Sequence, residues 1–344
     1  APPKSECTMP DNLRGSWDSA LLILLLVSLW VAKQFSADFW GVDNLNNLLA
    51  SVVEIALMGL GLALLVVAAE IDISIAAILG MASGLLGLLH QRGWPMPLAM
   101  ACVLACGAMA GLFNGWLVTR LKLPSLAVTI GTMALYRGIT YIMLGDTAIA
   151  DFPAEYTAFA LGHWGETFLP LTYACVLLPL ALVFMAMLQF SGLGRLIYAM
   201  GANETAVRFS GTNVMRIKVI LFGVSGVMSA LAGIVYTLRF SSARADNGMG
   251  FELNVVAAVL LGGVSIFGGR GTIVGVLLSV LIIGVLNNAL TLFDISNEVL
   301  TIVTGLLLLS SVLVPNLLGR WRQAQSRRAA LEALASSSTP PIHS

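Results

Sequence analysis

Residues 47–69 read NLLASVVEIALMGLGLALLVVAA, and Glu54 is the only charged side chain in the run. A helix of roughly 20 apolar residues is long enough to cross the hydrocarbon core of a bilayer. The run therefore predicts a transmembrane helix. Because a charge in hydrocarbon is costly, we expect Glu54 to face the protein interior or water.

The composition extends this prediction to the whole chain of 344 residues, of which 58% are hydrophobic and 10% charged. Soluble domains are roughly 45–50% apolar and about 25% charged. We therefore expect an all-α integral membrane protein in contact with lipid. The formal net charge is zero, so no strongly basic surface indicates nucleic-acid binding.

Ten runs are candidate membrane spans, and the eighth is short and glycine-rich, as in a broken or re-entrant helix. Eight spans is the alternative count. The ten runs are 20–36, 47–69, 73–90, 95–118, 125–145, 168–188, 219–238, 255–269, 271–293 and 299–315. They predict a cytoplasmic segment 1–19, a transmembrane domain 20–318 and a cytoplasmic tail 319–344.

The placement of charges predicts that both termini are cytoplasmic. In that orientation the basic loop 189–218 and the basic tail lie inside, and the acidic loop 146–167 lies outside. The acidic residues of the outer loops are Asp146, Asp151, Glu155, Glu166, Asp294 and Glu298. Four basic residues would lie on the outer side as exceptions, namely Lys33, Arg92, Arg239 and Arg244.

The motifs of several enzyme classes are missing from the sequence. No lysine follows a glycine, so the phosphate loop GxxxxGK[ST] is absent, and no HExxH or CxxC motif occurs. The three histidines are unpaired. We therefore expect no catalytic residue, no metal ligand and no cofactor in this chain, and no ATP binding through a phosphate loop.

The loop 189–218 is the longest one predicted in the cytoplasm. We expect two short amphipathic helices on either side of Gly201, with Asn203 as the N-cap of the second helix. The pair could lie on the membrane surface, or it could dock a cytoplasmic ATPase.

Several motifs together resemble the permease subunits of bacterial ABC importers for sugars, the branch with the ribose, xylose, rhamnose and autoinducer-2 permeases. The resemblance covers about 45–315. Its motifs are AEIDIS at 69–74, GLFNG at 111–115, LPSLAVTIGT at 123–132, GANE at 201–204 with Ser210-Gly211, FEL at 251–253, AAVLLGG at 257–263 and GGRG at 268–271. Glu70 departs from the family pattern, in which a glycine is common.

The resemblance implies partners. Two permeases, identical or paralogous, would form the pathway, two ATP-binding cassette subunits would dock on the cytoplasmic loops, and an extracytoplasmic protein would deliver the sugar. The residues implied in coupling to the ATPase are Gly201, Ala202, Asn203, Glu204 and Arg208. The runs 134–138, 238–247 and 264–271 look most like those of rhamnose permeases, with autoinducer-2 permeases next.

Polar residues within the spans are candidates for the substrate pathway. They are Glu54, Arg137, Asn287 and Asn288. Glu54 is a possible ionic partner of Arg137, and the two asparagines could form interhelical hydrogen bonds instead. Asn114 is expected to act as a structural cap.

The tight turn after the second span contains Glu70, Asp72 and Ser74. Asp72 or Ser74 could cap the third span, or the turn could act as a gate. Two other classes of function stay open: an ion-coupled secondary transporter or channel, and an enzyme acting on lipid-linked sugars.

Overall fold

A computed structural model describes residues 11–35, 37–165 and 167–293, and beyond them only positions 299, 302, 305, 306, 309 and 313. Throughout these residues the regular structure is helical, with two isolated β-bridges, Ile149 to Ala243 and His163 to Pro170. The expected all-α membrane fold is confirmed. Glu166, Asp294, Glu298, the tail 319–344 and almost all of the tenth predicted span lie outside the described residues.

Twelve α-helices are found in the described residues. They are α1 (Asp11–Phe35), α2 (Val42–Val67), α3 (Ile75–Gln91), α4 (Met96–Arg120), α5 (Ser125–Leu144), α6 (Ala154–Leu161), α7 (Leu178–Met185), α8 (Gly192–Ala202), α9 (Glu204–Phe209), α10 (Val214–Phe240), α11 (Phe251–Leu261) and α12 (Ile273–Leu292). The helix α7 is extended on both sides by π-helical turns, Tyr173–Leu177 and Ala186–Phe190. We name the end of the bundle where α2 ends the inner end, and the opposite end the outer end.

Seven helices in the described part of the chain are long and apolar enough to cross a membrane. They correspond to seven of the ten predicted spans. The third and eighth predicted spans form the shorter apolar helices α3 and α11. The expectation of short or broken helices is therefore confirmed for the described residues.

The helix α2 lies at the centre of the bundle. In the most apolar stretch of α2, 94% of the residues are buried inside the protein, whereas the share for α1 is 17%. The helices α10, α11 and α12 pack around α2. Because α1 leaves its large apolar side chains exposed, as at Trp30, its outer surface is suited to lipid.

Helices α4 and α10 approach each other closely, and glycines make this approach possible. On α4, Gly107, Gly111 and Gly115 lie directly against the backbone of α10. A Cβ atom at Gly111 would lie 2.1 Å from the carbonyl oxygen of Phe222. The glycine spacing on α4 therefore serves close backbone packing, as its small-xxx-small pattern predicts.

The eighth predicted span is part loop and part helix. From the outer end of α10 the chain runs inward along α3, where Ala243 meets Gly87 and Gly248 meets Leu79. Helix α11 then continues toward the inner end and stops at Gly262. The helix predicted over 255–269 is thus shifted, because Gly263, Gly268, Gly269 and Gly271 adopt positive φ angles that end it.

We expect Gly111→Ala to destabilise the protein, because the added methyl group would overlap the Phe222 carbonyl. Such overpacking costs about 1–3 kcal/mol. Thermal unfolding in detergent measures the effect. Gly131→Ala on α5 is the matched control, since no heavy atom lies within 4 Å of the position that its Cβ would take. Equal melting temperatures for the two variants would contradict the packing assignment.

Candidate functional site

Three segments meet at the inner end through direct backbone contact: the end of α2, the end of α8 and the glycine-rich loop 262–271. The Gly269 amide donates a hydrogen bond to the Val67 carbonyl oxygen over 2.8 Å. A Cβ atom at Gly201 would lie 1.8 Å from the same oxygen. Tyr198 also donates from its hydroxyl to the Gly271 carbonyl over 2.6 Å. We call this contact the inner junction.

The inner junction explains why Gly201 does not separate two helices. Gly201 belongs to α8, and the chain turns at Asn203, so the prediction of a break at Gly201 is wrong. The glycine is needed for close approach and not for a turn. Asn203 caps α9 as predicted, because its side-chain oxygen accepts from the Ala206 amide over 3.0 Å.

A cluster of ion pairs lies beside the inner junction. The Lys218 ammonium, on the first turns of α10, is 2.6 Å from Glu70 Oε1 and 2.7 Å from Glu204 Oε2. Glu204 Oε1 also pairs with Arg208 at 2.8 Å. We call these four residues the inner ion cluster. It joins α9, the turn after α2 and α10.

Lys218 is the residue of this cluster that the sequence analysis missed as a site residue. The sequence pattern that could have predicted these ion pairs is a lysine at the start of an apolar helix, with acidic residues in two separate cytoplasmic segments. The hydrogen bond from Lys218, reinforced by Arg208, lowers the pKa of Glu204 below its ordinary value. Glu204 therefore stays ionised at neutral pH, where it can pair with Lys218 and Arg208.

The turn after α2 is also joined to α4 and α5 by a chain of hydrogen bonds. Asp72 Oδ1 accepts from the Ser74 amide and hydroxyl, over 2.9 and 2.6 Å. Asn114 donates to the Ser74 hydroxyl over 2.8 Å and accepts from Tyr136 over 2.9 Å. Asp72, Ser74 and Asn114 are all buried.

This chain of bonds corrects two predictions about caps. Ser74 stands at the N-cap position of α3 but makes no side-chain cap bond, because its hydroxyl is engaged by Asp72 and Asn114. Asn114 is not a cap. It lies within α4 and links that helix to the turn and, through Tyr136, to α5.

Arg137 binds backbone carbonyl oxygens, and its predicted pairing with Glu54 is wrong. The guanidinium donates to the carbonyl oxygens of Ala245 (2.9 Å), Asn247 (2.7 Å) and Ala76 (3.3 Å). Gly80 leaves room for it, since a Cβ there would lie 2.4 Å from Nη1. Arg137 therefore fastens the inward-running loop 241–250 to α3 and α5.

Glu54 is paired instead with Arg239, whose Nε lies 2.8 Å from Glu54 Oε1. Glu54 is completely buried. From the sequence, Arg239 was expected on the outer side of the membrane, just beyond the seventh predicted span. The arginine instead belongs to the last turn of α10, from which its side chain reaches Glu54 on α2.

The two candidate asparagines of α12 differ. Asn288 exchanges hydrogen bonds with Asn44 at the start of α2, over 3.0 and 2.8 Å, so interhelical bonding is confirmed there. For Asn287 the structure records its carbonyl oxygen accepting from Thr291 over 2.8 Å. The four candidate pathway residues thus lie in separate surroundings and do not converge on one site.

Histidine, cysteine and carboxylate side chains do not gather into a possible metal site anywhere in the described residues. The polar contacts of the candidate residues lie mainly near the two ends of α10. Its inner end carries the coupling candidates, and its outer end carries the Glu54–Arg239 pair.

Residues 44–312 match the sequence profile of the family described as "Branched-chain amino acid transport system / permease component". The chain belongs to this permease family. The matched range contains all the described helices except α1, apart from the first two residues of α2.

Relatives with curated names agree with this assignment. The ribose import permease protein of Haemophilus influenzae is 35% identical over 86% of this chain and 92% of its own length. The corresponding ribose permease of Bacillus subtilis is 36% identical over 87% of this chain and 91% of its own. An autoinducer 2 import system permease protein of Klebsiella pneumoniae is 33% identical over 88% and 92%. The chain is thus an integral membrane permease similar to importers of ribose and autoinducer 2.

We expect Lys218→Met to destabilise the inner ion cluster, because Glu70 and Glu204 would then face each other without the shared cation. Leaving such partly buried charges unpaired costs about 1–3 kcal/mol. The melting temperature in detergent should fall by a few degrees. Arg216→Met is the control, since Arg216 is an exposed cation on the same helix. A Lys218→Met protein as stable as the control would show that the cluster holds nothing together.

Proposed function

We propose that this chain is the permease subunit of an ATP-driven importer that carries a monosaccharide across the bacterial inner membrane. Residues 20–318 form the transmembrane domain, with cytoplasmic segments 1–19 and 319–344. A second permease, identical or paralogous, completes the pathway. Separate ATP-binding cassette subunits hydrolyse ATP, and an extracytoplasmic protein delivers the sugar. Family membership supports this division, because the family description itself names a permease component of a transport system.

The attachment of α8 and α9 to the helix bundle is the main structural support for this proposal. Two short helices outside the membrane-spanning set contact α2 and the glycine-rich loop at the inner junction, and α10 and the turn after α2 through Lys218. A force applied to α9 would therefore reach α2, α10 and the loop before α12. In this proposal α8 and α9 form the coupling element, and the turn with Glu70, Asp72 and Ser74 is the gate that it moves.

The exposed side of α9 offers a surface for a partner. Phe209 is 87% exposed at the end of that helix, and the Arg208 side chain is 63% exposed. An exposed aromatic residue next to an arginine is typical of an interface anchor. We assign this surface to docking of the ATP-binding subunit.

The identity of the transported sugar is the most specific element of the proposal. The named relatives import ribose or autoinducer 2, whereas the runs 134–138, 238–247 and 264–271 favour rhamnose. The relatives lend rhamnose no support, so ribose and rhamnose are tested side by side. Because the family description names branched-chain amino acids, leucine serves as the comparison substrate.

The pairing of Glu54 argues against the ion-coupled alternative. A proton or sodium relay needs a carboxylate that can change its charge during transport. Glu54 instead contacts a permanently charged guanidinium at 2.8 Å. We therefore favour ATP-driven import over a self-sufficient carrier.

The direct test is reconstitution in proteoliposomes with an ATP-binding subunit and a sugar-binding protein from the same organism. We expect one of ribose, rhamnose, xylose or autoinducer 2 to stimulate ATP hydrolysis and to accumulate inside, while leucine does neither. Sugar flux without any associated ATPase would contradict the proposal and favour a carrier or channel.

The coupling assignment predicts that Glu204→Gln combined with Arg208→Gln abolishes sugar-stimulated ATP hydrolysis. The change removes the ionic link between α9 and α10 while the apolar contacts of Val207 stay in place. Arg120→Gln is the control, because Arg120 is an exposed arginine at the inner end of α4. Retained stimulation in the double variant would remove α9 from the coupling path.

A further inference from the structure

A cavity of about 210 Å³ opens at the outer end of the bundle, between α2, α6 and α10. Arg239, which pairs with Glu54, is the one residue that the cavity shares with the features described above. Its lining consists of Asn46, Asn47, Ala50, Ala160, Leu161, Arg239 and Phe240. Three of these residues carry strong hydrogen-bonding groups and one presents an aromatic ring.

Arg239 has the most N–H donors of any side chain in the cavity wall. An ion pair with Glu54 fixes its position. Its Nε donates to Glu54, which is completely buried. Its two terminal nitrogens have no hydrogen-bond partner among the described residues, although only 16% of the side chain is exposed. A guanidinium has five N–H donors, and among the described residues only the Nε donor has a protein acceptor.

The charge of this arginine is already balanced. Glu54 lies 2.8 Å from Nε of the guanidinium and is not part of the cavity lining, and the ion pair has no net charge. The cavity lining contains no other charged residue. The site therefore favours a neutral guest rich in hydrogen-bonding groups over a phosphate or a carboxylate.

The remaining walls suit the two kinds of surface that a sugar presents. Asn46 donates to the Phe168 carbonyl over 3.3 Å, which leaves its side-chain oxygen for a hydroxyl donor, and Asn47 is exposed. The Phe240 ring is 52% exposed and lies 4.3 Å from the Arg239 guanidinium carbon. Hydroxyl groups can bond to the Asn46 amide and the guanidinium, and the C–H face of a sugar ring can pack on the exposed part of Phe240, whose ring also contacts Tyr236 at 4.6 Å.

We propose that this cavity is an outer sugar subsite, in which a single neutral monosaccharide binds through its hydroxyl groups to Arg239 and Asn46, with the exposed Asn47 at its rim. The inference rests on the proposed sugar import and adds the place where the sugar first contacts the permease. Glu54 is then a positioning residue, which orients the guanidinium and cancels its charge.

The test is protection of an introduced cysteine in the reconstituted transporter, with the four native cysteines replaced by alanine. Asn47→Cys is labelled from outside with a membrane-impermeant maleimide, in the presence of ribose, rhamnose or xylose. We expect the imported sugar to slow labelling at this position. Asp43→Cys, one helical turn earlier on the same exposed face of α2, should label at an unchanged rate. Ribose 5-phosphate, which is anionic, should protect far less than the neutral sugar.

A second variant keeps the inference open to refutation. Adding Asn46→Ala should raise the sugar concentration for half-protection roughly three- to tenfold, the equivalent of one lost hydrogen bond. Four outcomes would overturn the subsite: no protection, equal protection at Asp43→Cys, stronger protection by ribose 5-phosphate, or no effect of Asn46→Ala.

These outcomes are separable from failure of the proposed function. If the proteoliposomes import a sugar but that sugar does not protect Asn47→Cys, the importer stands and the subsite is wrong. If no sugar is imported or stimulates ATP hydrolysis, the proposed function itself fails, whatever the labelling shows.

Discussion

The rest of the structure depends on the close approach of three backbones at the inner junction. The Val67 carbonyl oxygen accepts a hydrogen bond from Gly269 and lies where a side chain at Gly201 would be. Contact at this distance leaves no compressible layer of side chains between the segments. A displacement of α8 must therefore be followed by the end of α2 and by the loop that leads into α12.

Helix α10 adds a second connection, because each of its ends carries an ion pair. One pair joins it to the turn after α2, and the other joins it to α2 itself. Lys218 binds Glu70 at the inner end, and Arg239 binds Glu54 toward the outer end. Between these pairs the two helices pack closely, with Gly61 against Ser225. A helix fastened at both ends transmits motion along its length. This arrangement joins the proposed coupling element to the wall of the proposed outer sugar subsite.

The sequence predicted what local patterns control, and it failed where depth in the bundle decides. Long apolar runs marked the spanning helices, and the cap at Asn203 followed from its neighbours. The partner of Glu54 did not follow, because Arg137 and Arg239 are both far away along the chain. The choice between them depends on how far the loop 241–250 runs inward and occupies Arg137. The role of Lys218 was hidden for the same reason, since its two partners come from separate segments.

If the inner junction transmits motion, α9 and the glycine-rich loop move as one unit when the ATP-binding subunits close. The most direct measurement is the distance between spin labels at Thr205 and Phe267, both exposed, by double electron–electron resonance in the assembled transporter. We expect the same distance distribution with and without ATP, under conditions in which ATP drives sugar import. A distance that shifts or broadens on ATP binding would show that the inner junction opens and does not transmit the motion.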